Sequence, residues 1–193
     1  MALSTGFKKT KTAVFISGKG SNLKSLIKFS KKKKSPISIN LIVSNNHKSK
    51  GLGIAKKFKI QCKIFNFKKK SISERKILFE LKKNNIGLVC LAGFMKILSK
   101  YFVKNYKGKI LNIHPSLLPK YKGLNTHKRV IINKEIYSGC TVHYVNYKLD
   151  SGKIIMQKKV KIRRNDTPNS LSKRILIQEH KLYPKAILKI FNL

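Results

Sequence analysis

Asn112 and His114 stand two residues apart at the end of the run KILNIH, which Pro115 closes. In an extended strand, residues at i and i+2 project from one face, and the residue before a proline is itself held extended. The pair offers an amide donor and a titratable imidazole side by side at a sheet edge, suited to stabilising a developing oxyanion while a proton is managed. A polar strand end meeting a loop accounts for the same two residues without chemistry. Ser116 lacks the strand–turn–helix setting of a nucleophile elbow, which sets a serine hydrolase aside.

A second candidate is Gly18-Lys19-Gly20-Ser21-Asn22, between the apolar run TAVFIS and the helically spaced Leu23, Leu26 and Ile27. Glycines there let backbone N–H groups at a helix start approach a phosphate held by Gly20, Ser21 and Asn22. The other reading is a plain tight turn with a capping serine. The loop is not a dinucleotide fingerprint, because Leu23 takes the third glycine's place and Glu74 is the first acid in the chain. Nor is it a Walker A loop.

Two of the six acids fall at telling places. Asp150 lies in a turn between two expected strands, where turn chemistry alone favours Asp. Glu179 falls four residues after Ile175 and eight after Leu171, on the inward stripe of a helix, where a carboxylate is rare unless paired. A ligand hydroxyl or a lysine would serve as its partner. His127, His143 and His180 have no metal-ligand spacing, and Cys62, Cys90 and Cys140 lie far apart without a C-x-x-C pair. Neither a metal site nor a disulfide framework is expected, and a reducing cytoplasm fits best.

These residues need a frame. Continuous apolar runs at Thr12–Ser17, Ile37–Val43, Gln61–Phe67 and Ile86–Ala92 read as buried strands. Helical patterns lie between them, after Ser21, at Lys50–Phe58 and at Ser71–Asn84. The alternation predicts an α/β fold, an open, mostly parallel twisted sheet with helices on both faces. A short helix to Tyr106 and a strand at Lys109–His114 follow. Next come an irregular loop, HPSLLPKYKG, and a helix at Thr126–Asn133. Two further strands, Gly139–Val145 and Ile154–Ile162, make the C-terminal part antiparallel. The last helix starts at Thr167-Pro168, with Thr as N-cap and Pro at the first helical position, and is expected to break at Pro184.

The chain has 193 residues, 41% of them apolar, enough for one domain with a substantial core. Residues 1–11 read as a disordered basic leader and 12–193 as a single domain. Forty-five basic residues against six acidic give +39, a balance that usually prompts a nucleic-acid reading. Forty of the cations are Lys and only five Arg, whereas base readout and bidentate phosphate recognition favour Arg. Lys, Ile and Asn, all with A/T-rich codons, make up 79 residues, so genomic drift is the preferred source of the charge. The longest nearly apolar stretch, Ile86–Met95, is half a membrane span.

Taken together, SGKGSNL at 17–23, LAGFMKILS at 91–99, LNIHPSLLPKYKG at 111–123, LDSGKIIMQ at 149–157 and QEHKLYP at 178–184 resemble the phosphoribosylglycinamide formyltransferase family in order and spacing. The resemblance covers roughly residues 12–190 and implies a Rossmann-like formyltransferase fold. It implies a cytoplasmic enzyme of de novo purine biosynthesis, monomer or homodimer, that moves a formyl group from 10-formyltetrahydrofolate to the amine of glycinamide ribonucleotide. No metal, membrane or specific nucleic acid is implied.

Carried over by position, Asn112, His114 and Asp150 would be catalytic: Asn112 and a protonated His114 hold the oxyanion, and Asp150 favours the imidazolium and guides the amine proton. Gly20, Ser21, Asn22 and Arg75 would hold the substrate phosphate and Glu179 the ribose. Backbone at Met95, Lys96, Ile97 and Leu98, with Asn112 and the turn before Asp150, would receive the folate. The chain departs from the family at Lys96, where Arg is usual, at Ser151, where Gly is frequent, and at Asn146-Tyr147-Lys148, where acids are common. Methionyl-tRNA formyltransferase shares the N-x-H-x-S-L-L-P block but carries a C-terminal tRNA-binding domain not expected here. Formyltetrahydrofolate hydrolase adds an N-terminal domain for which eleven residues leave no room. A non-enzymatic RNA-binding role is the least favoured reading, given the intact Asn112, His114 and Asp150.

Overall fold

A computed structural model describes residues 8–193. Seven strands form one sheet in the order β3-β2-β1-β4-β5-β6-β7. They are β1 (Thr10–Ile16), β2 (Ile37–Ser44), β3 (Gln61–Ile64), β4 (Leu88–Leu91), β5 (Lys109–His114), β6 (Tyr137–Tyr144) and β7 (Ile154–Lys161). The first five run parallel, and β6 and β7 are antiparallel to their neighbours. The helices are α1 (Ser21–Ser30), α2 (Lys50–Lys57), α3 (Lys70–Lys83), α4 (Lys100–Asn105), α5 (Thr126–Ile132) and α6 (Pro168–Ile190). None is long and apolar enough to cross a membrane among the described residues.

The continuous apolar run of β1 is explained by its two buried faces. Val14 and Ile16 join a core with Leu23, Leu26 and Ile27 of α1 and Leu171, Ile175 and Tyr183 of α6. Ala13 and Phe15 join a second core with Ile77 and Leu81 of α3 and Phe102 of α4. The chain leaves β1 toward β2 and β3, then returns to β4 on β1's other side. In an open α/β sheet such a reversal opens a crevice at the carboxyl ends of the strands. The loops after β1, β4 and β5 meet there.

Several boundaries shift by a few residues from expectation, and three of the shifts are informative. β1 starts at Thr10, so the last two residues of the expected leader belong to the sheet; residues 1–7 of that leader lie outside the described residues. β3 stops at Ile64, and the Asn66 side chain accepts from the Lys68 amide to start a single 3-10 turn at Phe67–Lys69. Helix α6 does not break at Pro184 but continues to Ile190.

A helical proline leaves the carbonyl four residues earlier without its N–H donor. Here that carbonyl belongs to His180, and the Ser25 hydroxyl donates to it at 2.9 Å. Burial of Tyr183, Ala186 and Ile187 around the proline holds the helix in place. Ser25→Ala is expected to destabilise the fold by ~1 kcal/mol, the cost of leaving a partly buried acceptor unmet, measured as a lower urea midpoint with unchanged slope. An unchanged midpoint would mean that packing alone carries the helix past the proline.

Candidate active site

Strand β5 ends in Asn112 and His114, which line one wall of a cleft of about 540 Å³, within the usual range for small-molecule sites. Antiparallel pairing sets His143 of β6 directly opposite Asn112. Asp150 reaches the same point from the β6–β7 turn, at a left-handed φ of 44° that Asp tolerates better than most residues. Its Oδ2 lies 3.4 Å from His114 Nδ1 and accepts the Gly123 amide at 2.9 Å. Oδ1 stands 3.4 Å from the Asn112 amide nitrogen and 3.7 Å from His143 Nε2. The side chains of His114 and Asp150 are only 7% and 8% exposed, so little solvent screens the pair.

The loop between β5 and α5 lacks regular structure but satisfies its own backbone. Ser116 donates to the carbonyls of Lys120 and Tyr121, and Thr141 donates to the Ser116 carbonyl while accepting from the Leu118 amide. The Tyr121 carbonyl, so fixed, lies 2.9 Å from His114 Nε2. Each ring nitrogen of His114 thus faces an oxygen acceptor. A doubly protonated ring donates to both, a neutral one only to one.

The loop after β1 is built as a cradle. Gly20 caps α1 at φ +75°, and no side chain occupies the cap, so the N–H groups of the first turn stay open, and the turn itself carries no acid. A Cβ on Gly20 would meet the Gly51 Cα at 2.6 Å, which explains glycine there. Ser21 is therefore the first helical residue rather than a cap. Residues 17–22 line a cavity of about 300 Å³ that shares Asn22, His127 and Glu179 with the cleft. Ser17 ties the two together: its hydroxyl accepts the Met95 amide at 2.8 Å. Met95, Lys96 and Ile97 are exposed on the cleft wall and Leu98 is buried beneath them.

Glu179 is buried, as its place on the stripe required, and its partner within the chain is an asparagine rather than a lysine. Asn22 Nδ2 donates to it at 2.6 Å, leaving Asn22 Oδ1 buried and unpartnered. Burial pushes the Glu179 carboxyl up, and the Asn22 bond offsets only part of this. The folded state therefore holds this proton more tightly than the unfolded chain does. The stability it contributes is complete below the ordinary carboxylate value and is lost as pH rises through the raised one. Glu179→Gln is expected to flatten that decline in urea unfolding at a series of pH values; an unaltered pH dependence would contradict it.

Arg75 stands apart from the other candidates. It lies on α3, its guanidinium 5.7 Å from the centre of the Tyr101 ring, beside Lys63, Phe65 and Glu80. α3 packs on the face of the sheet opposite to α1, so Arg75 lines neither the cleft nor the cradle. His143 is the residue that spacing did not single out; strand alternation puts it on a face, but only the β5–β6 register puts it against Asn112.

The formyl transferase family model matches residues 10–187. Among curated relatives, the human trifunctional purine biosynthetic protein adenosine-3 is 42% identical over 183 residues, 93% of this chain and 18% of that protein. The chain thus spans less than a fifth of the trifunctional relatives it matches. The phosphoribosylglycinamide formyltransferase of Escherichia coli K12 is 38% identical over 177 residues, 90% of this chain and 84% of that protein. A crystal structure of phosphoribosylglycinamide formyltransferase from Anaplasma phagocytophilum superposes with a TM-score of 0.88 at 43% identity, covering 93% of this chain and 85% of that one.

Proposed function

We propose, since the chain belongs to the phosphoribosylglycinamide formyltransferase family, that it transfers the formyl group of 10-formyltetrahydrofolate to the amine of glycinamide ribonucleotide. The observation that carries this reading is the convergence of Asn112, His114 and Asp150 at the end of a cleft continuous with an open helix N-terminus. Phosphate seats on the first-turn amides of α1 at Gly20, Ser21 and Asn22 and accepts as well from the Ser21 hydroxyl and the Asn22 side-chain amide. Glu179, beside the cradle, accepts from the ribose hydroxyls. The folate ring enters along the backbone of Met95, Lys96, Ile97 and Leu98 and the turn before Asp150, which brings its formyl group to Asn112.

The amine lone pair then attacks the formyl carbon, and the carbonyl electrons move onto oxygen. Asn112 donates to that oxyanion, and so does His114 Nε2, exchanging its contact with the Tyr121 carbonyl. Donors held in advance in a poorly solvated site stabilise the developing charge without reorganisation. The Asp150 carboxylate holds the imidazolium by charge and takes up the proton lost from the amine. Collapse expels the folate N10, which gains a proton in turn, so the exchange is balanced without a metal. On this reading residues 10–193 act as a single cytoplasmic formyltransferase domain, as a monomer or homodimer, with no specific nucleic acid or membrane partner.

Replacing Ser21 or Asn22 by Ala is expected to raise the Michaelis constant for the nucleotide about tenfold or more, with a smaller effect on turnover. A hydrogen bond to a charged group contributes ~1.5–3 kcal/mol. A change in the folate constant alone would show that the cradle does not hold the phosphate.

A further inference from the structure

His143 is a buried titratable group at the end of the cleft to which the mechanism above assigns no part. Its side chain is 2% exposed, Nδ1 lies 2.8 Å from the Tyr144 carbonyl, and Nε2 lies 3.2 Å from Asn112 Nδ2. A carbonyl oxygen can only accept, so Nδ1 carries the hydrogen and, in the neutral ring, Nε2 is left as a bare acceptor. We infer that His143 is a positioning residue, whose unprotonated Nε2 fixes the Asn112 side chain with its NH₂ group turned toward the reacting carbonyl.

Amide groups turn over readily unless their neighbours distinguish oxygen from nitrogen. Here both neighbours do. His143 Nε2 at 3.2 Å and Asp150 Oδ1 at 3.4 Å are acceptors, and each would repel the amide oxygen. The first contact spends one amide hydrogen. The second is long, so an incoming formyl oxygen can replace it. A histidine protonated at Nε2 would do the reverse, donating to the amide oxygen and turning the NH₂ group away. Burial holds the His143 ring below the ordinary histidine value, against the raising influence of the Tyr144 carbonyl and Asp150; His114 on the neighbouring strand acts with burial. Asn112, His114 and Asp150 are the polar groups that face it from β5 and the β6–β7 turn.

The inference rests on the proposed reaction, so one arm of its test is independent of activity. In histidine-labelled protein at neutral pH, ¹⁵N NMR should find His143 protonated at Nδ1 and bare at Nε2. A hydrogen on Nε2 would overturn the inference whether or not the protein transfers formyl groups. That tautomer in a wild-type protein that transfers no formyl would count against the reaction and not against the contact.

The kinetic arm is a double-mutant cycle. His143→Leu should lower kcat about tenfold, less than the 10²–10³ lost with an oxyanion donor itself, and leave both Michaelis constants within about twofold. In an Asn112→Ala background the same change should lower kcat by less than about twofold, because the group it positions is gone. His143→Gln, whose amide oxygen can accept, should recover part of the loss, and it serves as the readout if the Leu variant folds poorly. Equal losses in both backgrounds would make His143 a structural residue only.

Discussion

Asp150→Asn is expected to lower kcat by about 10²–10⁴, the range associated with positioned acid–base groups, while both Michaelis constants stay within about twofold. The substitution is small in every structural respect. Asn keeps an oxygen that can accept the Gly123 amide, and it tolerates the left-handed φ of 44° as Asp does. The charge beside His114 is what disappears. The carboxylate lies 3.4 Å from Nδ1 and both side chains are nearly buried, so in the proposed reaction its charge holds the imidazolium and receives the proton of the attacking amine. Retained affinity with lost turnover would mark a group that acts in the transition state. Turnover near that of the wild type would remove Asp150 from the catalytic set.

Gly152→Ala should also be severe, although residue 152 touches no reacting atom. A Cβ there would sit 1.7 Å from the Tyr144 carbonyl oxygen and 2.6 Å from its carbon. Backbone at that point cannot give way freely, because the Tyr144 amide donates to the Lys153 carbonyl at 2.9 Å and closes the β6–β7 connection. The turn that carries Asp150 must therefore move outward. A displacement of about 1 Å in a catalytic group can cost about 10²-fold, and the steric conflict should remove ~1–3 kcal/mol of stability. Ser151→Ala is the control. Ser151 is exposed, its hydroxyl donating to the Leu149 carbonyl and accepting from Lys122, and its loss should change stability by less than about 0.5 kcal/mol. Comparable turnover in the Gly152 and Ser151 variants would show that the turn adjusts around the added methyl.

The parts of the site that could be read in the sequence are those set by local rules. Asn112 and His114 share a face because strand side chains alternate, and β5 spans Lys109–His114 as the proline after it required. The Thr167 cap and Pro168 open α6 as expected, and the site loops fall at the strand ends where an open α/β sheet places them. What could not be read depends on pairings across the chain. Asn22 meets Glu179 over a separation of 157 residues, and Ser25 rescues the carbonyl that Pro184 leaves free over one of 155. His143 needed the β5–β6 register. Arg75 was legible as a helical basic residue, but nothing local says on which side of the sheet its helix packs. Its place relative to the cradle depends on that packing, whereas the turn that carries Asp150 is tied to the strands on both sides.

The direct test is to mix the purified protein with 10-formyltetrahydrofolate at moderate salt, with and without glycinamide ribonucleotide, following folate absorbance and the mass of the nucleotide. Deformylation of the folate that requires the nucleotide, with one formyl group gained by it, is the predicted result. Folate turnover at the same rate without the nucleotide, or no turnover in either mixture, would contradict it.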